Sequence, residues 1–134
     1  MSLAALGGVR WLPLAIVLLA CRKAPSVSTA AEITDRSWRA HVLVITAGER
    51  AKTCGDAGAA MQRVFAANRQ AFVDAMALDR DKAKLAEATN FIEANEARYA
   101  DIDTRMAALS DRCADEPSVR AAFQEMSAPW PPGG

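Results

Sequence analysis

A chain of 134 residues with 16 basic and 16 acidic side chains, one histidine and no net charge holds one small domain rather than two. It lacks the basic balance that binding of nucleic acid or another polyanion requires. Thirty residues are alanine, the best helix former, no proline lies between Pro25 and Pro117, and glycine in that span occurs only at Gly48, Gly55 and Gly58. The expected fold class is all-α, a small helical bundle.

The first ten residues contain one charge, Arg10, and no acid. The apolar run that follows, about ten residues long, has the length of a secretory signal core and is too short to cross a bilayer as a stable helix. It ends in Leu18-Leu19-Ala20-Cys21, which resembles the lipobox of bacterial lipoproteins, although Leu19 is bulkier than that pattern usually carries. The resemblance implies removal of residues 1–20 as a signal peptide and acyl chains on the sulfur and amino group of Cys21. Several chains make anchoring durable where a single chain is marginal. Arg22 and Lys23 stand where the enterobacterial sorting pattern places the Asp that retains lipoproteins in the inner membrane, so the expected site is the outer membrane, facing the periplasm. Two other outcomes stay open: cleavage after Ser28-Thr29-Ala30, which leaves a long polar stretch before the cut, and a retained anchor. A chain starting at Cys21 has 114 residues, 15 of them basic and 16 acidic.

Residues 21–31 read as the lipidated cysteine and a flexible tether, 32–127 as the helical domain, and 128–134 as a disordered Pro/Gly tail with polyproline character. A first helix is expected from about Glu32 to Lys52. Within it Val42-Leu43-Val44-Ile45-Thr46 suits a strand on local propensity, but the chain offers no second strand to pair with it. Gly55 and Gly58 break the pattern around Cys54. A second helix follows to about Leu78, with Met61, Val64, Phe65, Phe72 and Met76 on one stripe. From Leu85 through Ala88, Ile92, Asn95, Tyr99, Ile102, Met106 and Leu109 to Cys113 the spacing alternates between three and four residues, the heptad seam of one helix packed lengthwise on its neighbours. Asp115 offers an N-cap with Pro117 in the first turn, and Val119, Ala122, Phe123 and Met126 line a short last helix. Trp130 in the tail is suited to a partner or a membrane interface, or is simply part of an unstructured end.

With Cys21 lipidated, Cys54 and Cys113 remain as an even pair in an oxidising compartment. They lie 59 residues apart, which is about 88 Å along a continuous helix, whereas a disulfide needs α-carbons roughly 5.5 Å apart. An intrachain bond therefore forces a disulfide-clamped antiparallel helical hairpin, with its turn near Asp79-Arg80-Asp81-Lys82. An intermolecular bond would instead join two long helices. The midpoint between the cysteines falls just beyond that turn, so either the turn lies later or the chain beside Cys54 is extended. In this register Asn68 approaches Asn95 and Tyr99, and Met61 approaches Met106. Asn68 and Asn95 would then form a buried polar pair, either a small polar site or a hydrogen bond that fixes register.

The segments Cys54-Gly-Asp-Ala-Gly-Ala-Ala-Met61, with Phe65 and Asn68 beyond it, and Cys113-Ala-Asp-Glu-Pro-Ser-Val-Arg-Ala-Ala122 resemble a group of small uncharacterised two-cysteine helical lipoproteins. In that group the second cysteine is followed by Ala-Asp-x-Pro and a short helix. The resemblance spans residues 54–123 and implies an architecture, with no activity.

No catalytic residue is nominated. His41 is the one histidine, and paired cysteines leave it no thiol to activate. Zinc would need several His or thiolate ligands, and no cofactor is expected. His41 with Met61, Met76, Met106 and Met126 offers ligands for haem iron or Cu(I), yet each methionine holds a stripe position where Met is ordinary core filler; Cys-x-x-Cys-His is absent. Glu87, Glu93, Glu96, Asp101 and Asp103 interleave with Arg98 and Arg105 as a solvated face, with Asp101 and Arg105 a helical pair. The resulting expectation is a non-catalytic envelope lipoprotein, a binding or scaffolding module joined to the membrane by its lipid anchor and to an envelope protein partner. The second expectation is a periplasmic small-ligand or haem/metal-binding bundle with its pocket between helices.

Overall fold

Thr29 starts the first helix. Its hydroxyl accepts from the Glu32 backbone N–H at 3.1 Å while the Glu32 carboxylate reaches back to the Thr29 N–H, a reciprocal capping box that satisfies otherwise orphaned donors. In the computed structural model, which describes residues 28–129, this helix is α1 (Ala30–Arg50). It is followed by α2 (Cys54–Ala77), a 3-10 turn at Leu78–Arg80, α3 (Lys82–Ala94), α4 (Glu96–Arg112) and α5 (Pro117–Ser127). There is no strand among the described residues, so the all-α bundle expected from composition is the fold. The expected signal segment, Cys21, the expected tether up to residue 27 and the tail from Trp130 lie outside the described residues.

Helix α1 begins two residues before the expected start, and Val42–Thr46 is helical throughout, with Val44 and Ile45 fully buried. Helix α2 begins at Cys54, capped by the Thr53 hydroxyl, so Gly55 and Gly58 lie inside a helix that was expected to start after them. Gly58 is there for close approach. A Cβ at that position would fall onto Ser118 of α5, 2.7 Å from its backbone carbonyl carbon. Gly48 plays the same part on α1, where a Cβ would come 2.7 Å from Leu109 Cδ2 and 2.8 Å from Met61 Sδ. The last helix is capped by Glu116 rather than Asp115: its carboxylate takes the Ser118 hydroxyl at 2.7 Å and the Ser118 N–H, and Pro117 occupies the first turn.

The chain turns at the charged stretch, where Asp81 accepts from the N–H groups of Ala83 and Lys84 and opens α3. Cys54 and Cys113 are bonded within the chain, their α-carbons 5.5 Å apart. The two arms of this clamp differ in helical length. Helix α2 has 24 residues, about 36 Å, whereas α3 and α4 have 13 and 17, together about 45 Å if straight. The excess is taken up by a break. Asn95, at φ −122° and ψ 30°, ends α3 and begins α4, so the expected single long helix is two.

Helix α1, rather than a direct seam between the arms, fills the bundle's centre. It runs antiparallel to α2 and parallel to α4, and it carries α3 across its N-terminal end, while α5 lies along α2. The core gathers Val44 and Ile45 of α1, Met61, Phe65 and Phe72 of α2, Leu109 of α4 and Val119 of α5. A second small cluster joins Ala30, Leu78 and Ala88 at the turn end.

Candidate ligand pocket

Two ion-pair clamps fix α4 against α1. Arg98 bonds Asp35 at 2.6 Å and stacks on Trp38, with its guanidinium carbon 4.0 Å from the ring centroid. Arg105 grips both carboxylate oxygens of Glu49, through Nη2 at 2.6 Å and Nε at 3.1 Å, and also donates to the Thr46 hydroxyl. Its pair with Asp101, expected from the helical spacing, is the longer contact at 3.8 Å. The Arg39 and Arg98 hydrogen bonds hold the Asp35 carboxyl below its ordinary range, and Arg105 does the same for Glu49.

Between these clamps and the turn, α1, the end of α2, α3 and α4 do not close on one another. They leave a pocket of about 300 Å³, floored by Trp38, Ala88 and Ile102 and rimmed by Leu85 and Ile92. Those two rim residues keep 41% and 39% of their surface exposed, although the heptad spacing places them in a packed seam. The lining is mostly apolar. Its charged members are Asp79 and Asp103, with neither Lys nor Arg among them, so the site suits a neutral or cationic molecule and disfavours an anion.

One polar group in the pocket wall is unsatisfied. The Tyr99 hydroxyl is buried and has no hydrogen-bond partner among the described residues, and burial raises its pKa. A buried donor left unpaired is uncommon in folded proteins. His41 also lines the pocket, its Nδ1 2.8 Å from the Ser37 carbonyl and its ring 4.6 Å from that of Phe72. Because a carbonyl can only accept, Nδ1 carries the proton and Nε2 keeps its lone pair. Burial pushes the His41 pKa down, which favours the neutral ring.

His41 also borders a second cavity of about 420 Å³, open to solvent, towards α5, together with Phe72, Met76, Met106, Phe123 and Met126. Ser37, His41, Ala75, Asp79 and Met106 belong to both linings. The four methionines weighed as a group therefore separate: Met61 is core against Gly48, while Met76, Met106 and the core residue Met126 border an open depression with the histidine.

No known protein family model matches the chain, and neither does any curated protein or any solved structure. The site is thus read from its own residues. Cys54 and Cys113 form the expected bond. Asn68 and Asn95 are each half-buried and bond within their own helix, Asn68 to the Val64 carbonyl and Asn95 to the Phe91 carbonyl, both at 2.8 Å. Asn68 sits beside Arg36 and Arg39 on one face of α1, while Asn95 accepts from Arg98, which stacks on Trp38 on another. The expected register fails for this pair because α1 stands between the arms. Asn95 acts instead at the helix break. Among the described residues no group of three or more His, Cys, Asp or Glu side chains is arranged to hold a metal ion, and no helix is long and apolar enough to cross a membrane.

Sequence reasoning did not find Tyr99 or Trp38 as site residues. The signal available was the seam itself, which mixes Ala88, Asn95 and Tyr99 among larger apolar residues and so fills unevenly.

Proposed function

We propose that this chain is a non-catalytic lipoprotein of the cell envelope, anchored through Cys21 at the periplasmic face of the outer membrane, whose bundle binds a small neutral or cationic molecule of largely apolar character. The observation that carries the binding reading is an apolar pocket of about 300 Å³ whose wall contains a buried, unpaired Tyr99 hydroxyl. The volume is at the lower end for ligand sites, and an apolar lining with few placed polar groups is their usual make-up. A ligand carrying one hydrogen-bonding group would satisfy Tyr99, and its apolar body would cover Leu85 and Ile92 at the rim. The anchor rests on the Leu18-Leu19-Ala20-Cys21 pattern and on a disulfide that fits an oxidising compartment.

The test is an intact mass spectrum of protein extracted from membranes in mild detergent, paired with titration of N-phenyl-1-naphthylamine, a neutral apolar dye. The expected result is an acylated chain beginning at Cys21 and saturable binding of one dye that Tyr99→Phe or Ala88→Phe weakens. An unacylated chain refutes the anchor. Dye uptake that neither substitution changes refutes the pocket.

A further inference from the structure

The second cavity is lined by the chain's one histidine and by three of its methionines, and each comes from a different helix: His41 from α1, Met76 from α2, Met106 from α4 and Met126 from α5. We propose that these four side chains form a binding site for a soft monovalent metal ion of the Cu(I) and Ag(I) class. Thioether sulfur and imidazole are the ligand types that select such ions over harder divalent ones.

Three features distinguish this arrangement from methionine used as filler. His41, Met76, Met106 and Met126 border one depression of about 420 Å³ that is open to solvent, so the thioethers and the imidazole of four helices share a space an ion can reach from outside. The His41 ring is held by its Nδ1–H on the Ser37 carbonyl, the outer contact that typically fixes a metal-binding imidazole and turns the other nitrogen to the ion. Nε2 has no hydrogen-bond partner among the described residues. The charge is also of the right sign, since Asp79 is in the lining, Asp103 lies in the adjoining pocket that His41 also borders, and neither lining includes Lys or Arg. That same charge disfavours haem, whose propionates would meet carboxylates. The unbranched methionine side chain, with three rotatable bonds, can swing inward to close around an ion smaller than the cavity.

The site shares His41 and Met106 with the lining of the ligand pocket, while Met76 and Met126 belong to it alone, and the two sites are read by different probes. The test uses the full chain in detergent with Cys21→Ser, so that no sulfur at that position, acylated or free, competes for a soft ion, and with the Cys54–Cys113 bond intact. Silver nitrate in chloride-free buffer needs no reductant and leaves that bond untouched. The expected result is one Ag(I) per chain by native mass spectrometry and no zinc retained at equal concentration. The methyl resonances of Met76, Met106 and Met126 should shift on silver addition while that of Met61 does not. His41→Ala and the triple Met76→Leu, Met106→Leu, Met126→Leu variant should each bind at least tenfold more weakly, and Met61→Leu as wild type. Leucine conserves volume at these positions, and the resonance shifts report on the site without any substitution. Silver binding that the triple variant retains, equal retention of zinc, or a Met61 resonance that moves with the other three would overturn the site.

Discussion

Arg98 lies on the face of Trp38 and is bonded to it at the same time: the guanidinium carbon is 4.0 Å from the ring centroid, and the indole Nε1–H donates to the Arg98 backbone carbonyl at 3.3 Å. The guanidinium also reaches Asp35 at 2.6 Å and the Asn95 side-chain oxygen at 3.2 Å. One residue thus joins α1, the break at Asn95 and the first turn of α4. Trp38 is part of the pocket lining, so this tie holds one wall of the pocket in place.

Truncation at this point should loosen the wall as well as the fold. Arg98→Ala is expected to lower the free energy of unfolding by about 2 kcal/mol, combining a partly desolvated cation–π contact with a charge-assisted hydrogen bond. Arg98→Lys should recover less than half of that, since an ammonium cannot stack flat and fork to two acceptors. Urea titration measures both. An alanine variant within 0.5 kcal/mol of wild type would mean that the stack is incidental to stability.

The acid side of the stability profile follows from the same clamps. Asp35 is held below its usual pKa first by Arg39 and then by Arg98, and Glu49 by Arg105. A depressed folded-state pKa means that the unfolded chain takes up protons first. The contribution is therefore complete above the unfolded values, near 4, and is lost as pH falls through the lower folded ones. These groups are partly solvated, so each pair is worth roughly 1 kcal/mol or less. Denaturation midpoints from pH 7 to pH 2.5 should show this loss, and it should be shallower in Arg98→Ala. Equal slopes in the two proteins would remove Arg98 from the account.

Two glycines on one helix should respond with opposite signs. Gly55 has open space around its Cα and sits in the first turn of α2, so Gly55→Ala should stabilise by about 0.5–1 kcal/mol through helix propensity. At Gly58 a Cβ would drive α5 away through Ser118, and Gly58→Ala should destabilise by about 2 kcal/mol or more. Gly48→Ala should fall between them, because the Met61 and Leu109 side chains that it meets can yield where backbone cannot. Thermal melts of the three variants test the order. A stabilising Gly58→Ala would show that the two helices do not meet as described.

The disulfide supplies a further test. Replacing both Cys54 and Cys113 with serine is expected to cost about 4 kcal/mol on the chain-entropy account, less if the unfolded chain retains structure. The variant should keep the oligomeric state of the oxidised protein, because the bond lies within one chain. Guanidinium titration and sedimentation of oxidised and serine forms provide both readings.

What the sequence made legible was periodicity and punctuation. The alanine content, the absence of proline between Pro25 and Pro117, the helical stripes and the charged turn at Asp79–Lys82 led to a bundle folded back on its disulfide. The misread parts share one cause: spacing reports which side of a helix is apolar and leaves open what that side faces. Leu85 and Ile92 keep the heptad rhythm yet border a pocket, whereas Met126, with the same kind of spacing, is buried in the core. Gly55 and Gly58 looked like a break because glycine weakens helices, while the close approach that Gly58 permits depends on Ser118, 60 residues away in sequence. Asn95 looked like a buried partner for Asn68 because two arms were aligned without α1 between them.

Tyr99 offers the sharpest separation of site from scaffold. A buried hydroxyl without a partner is destabilising by about 1–3 kcal/mol relative to one that is satisfied, and phenylalanine keeps the ring while removing the orphaned group. Tyr99→Phe should therefore leave the ligand-free protein as stable as wild type or up to about 1 kcal/mol more so, and should weaken binding of a hydrogen-bonding ligand in the pocket. A residue kept for structure behaves differently: its loss lowers the melting temperature, and affinity changes only as far as the fold does. Melting temperature and dye affinity measured on the same preparation distinguish the two cases. A destabilised Tyr99→Phe with unchanged affinity would mean that the hydroxyl is engaged in holding the bundle together, and the pocket would lose the polar group on which its assignment rests.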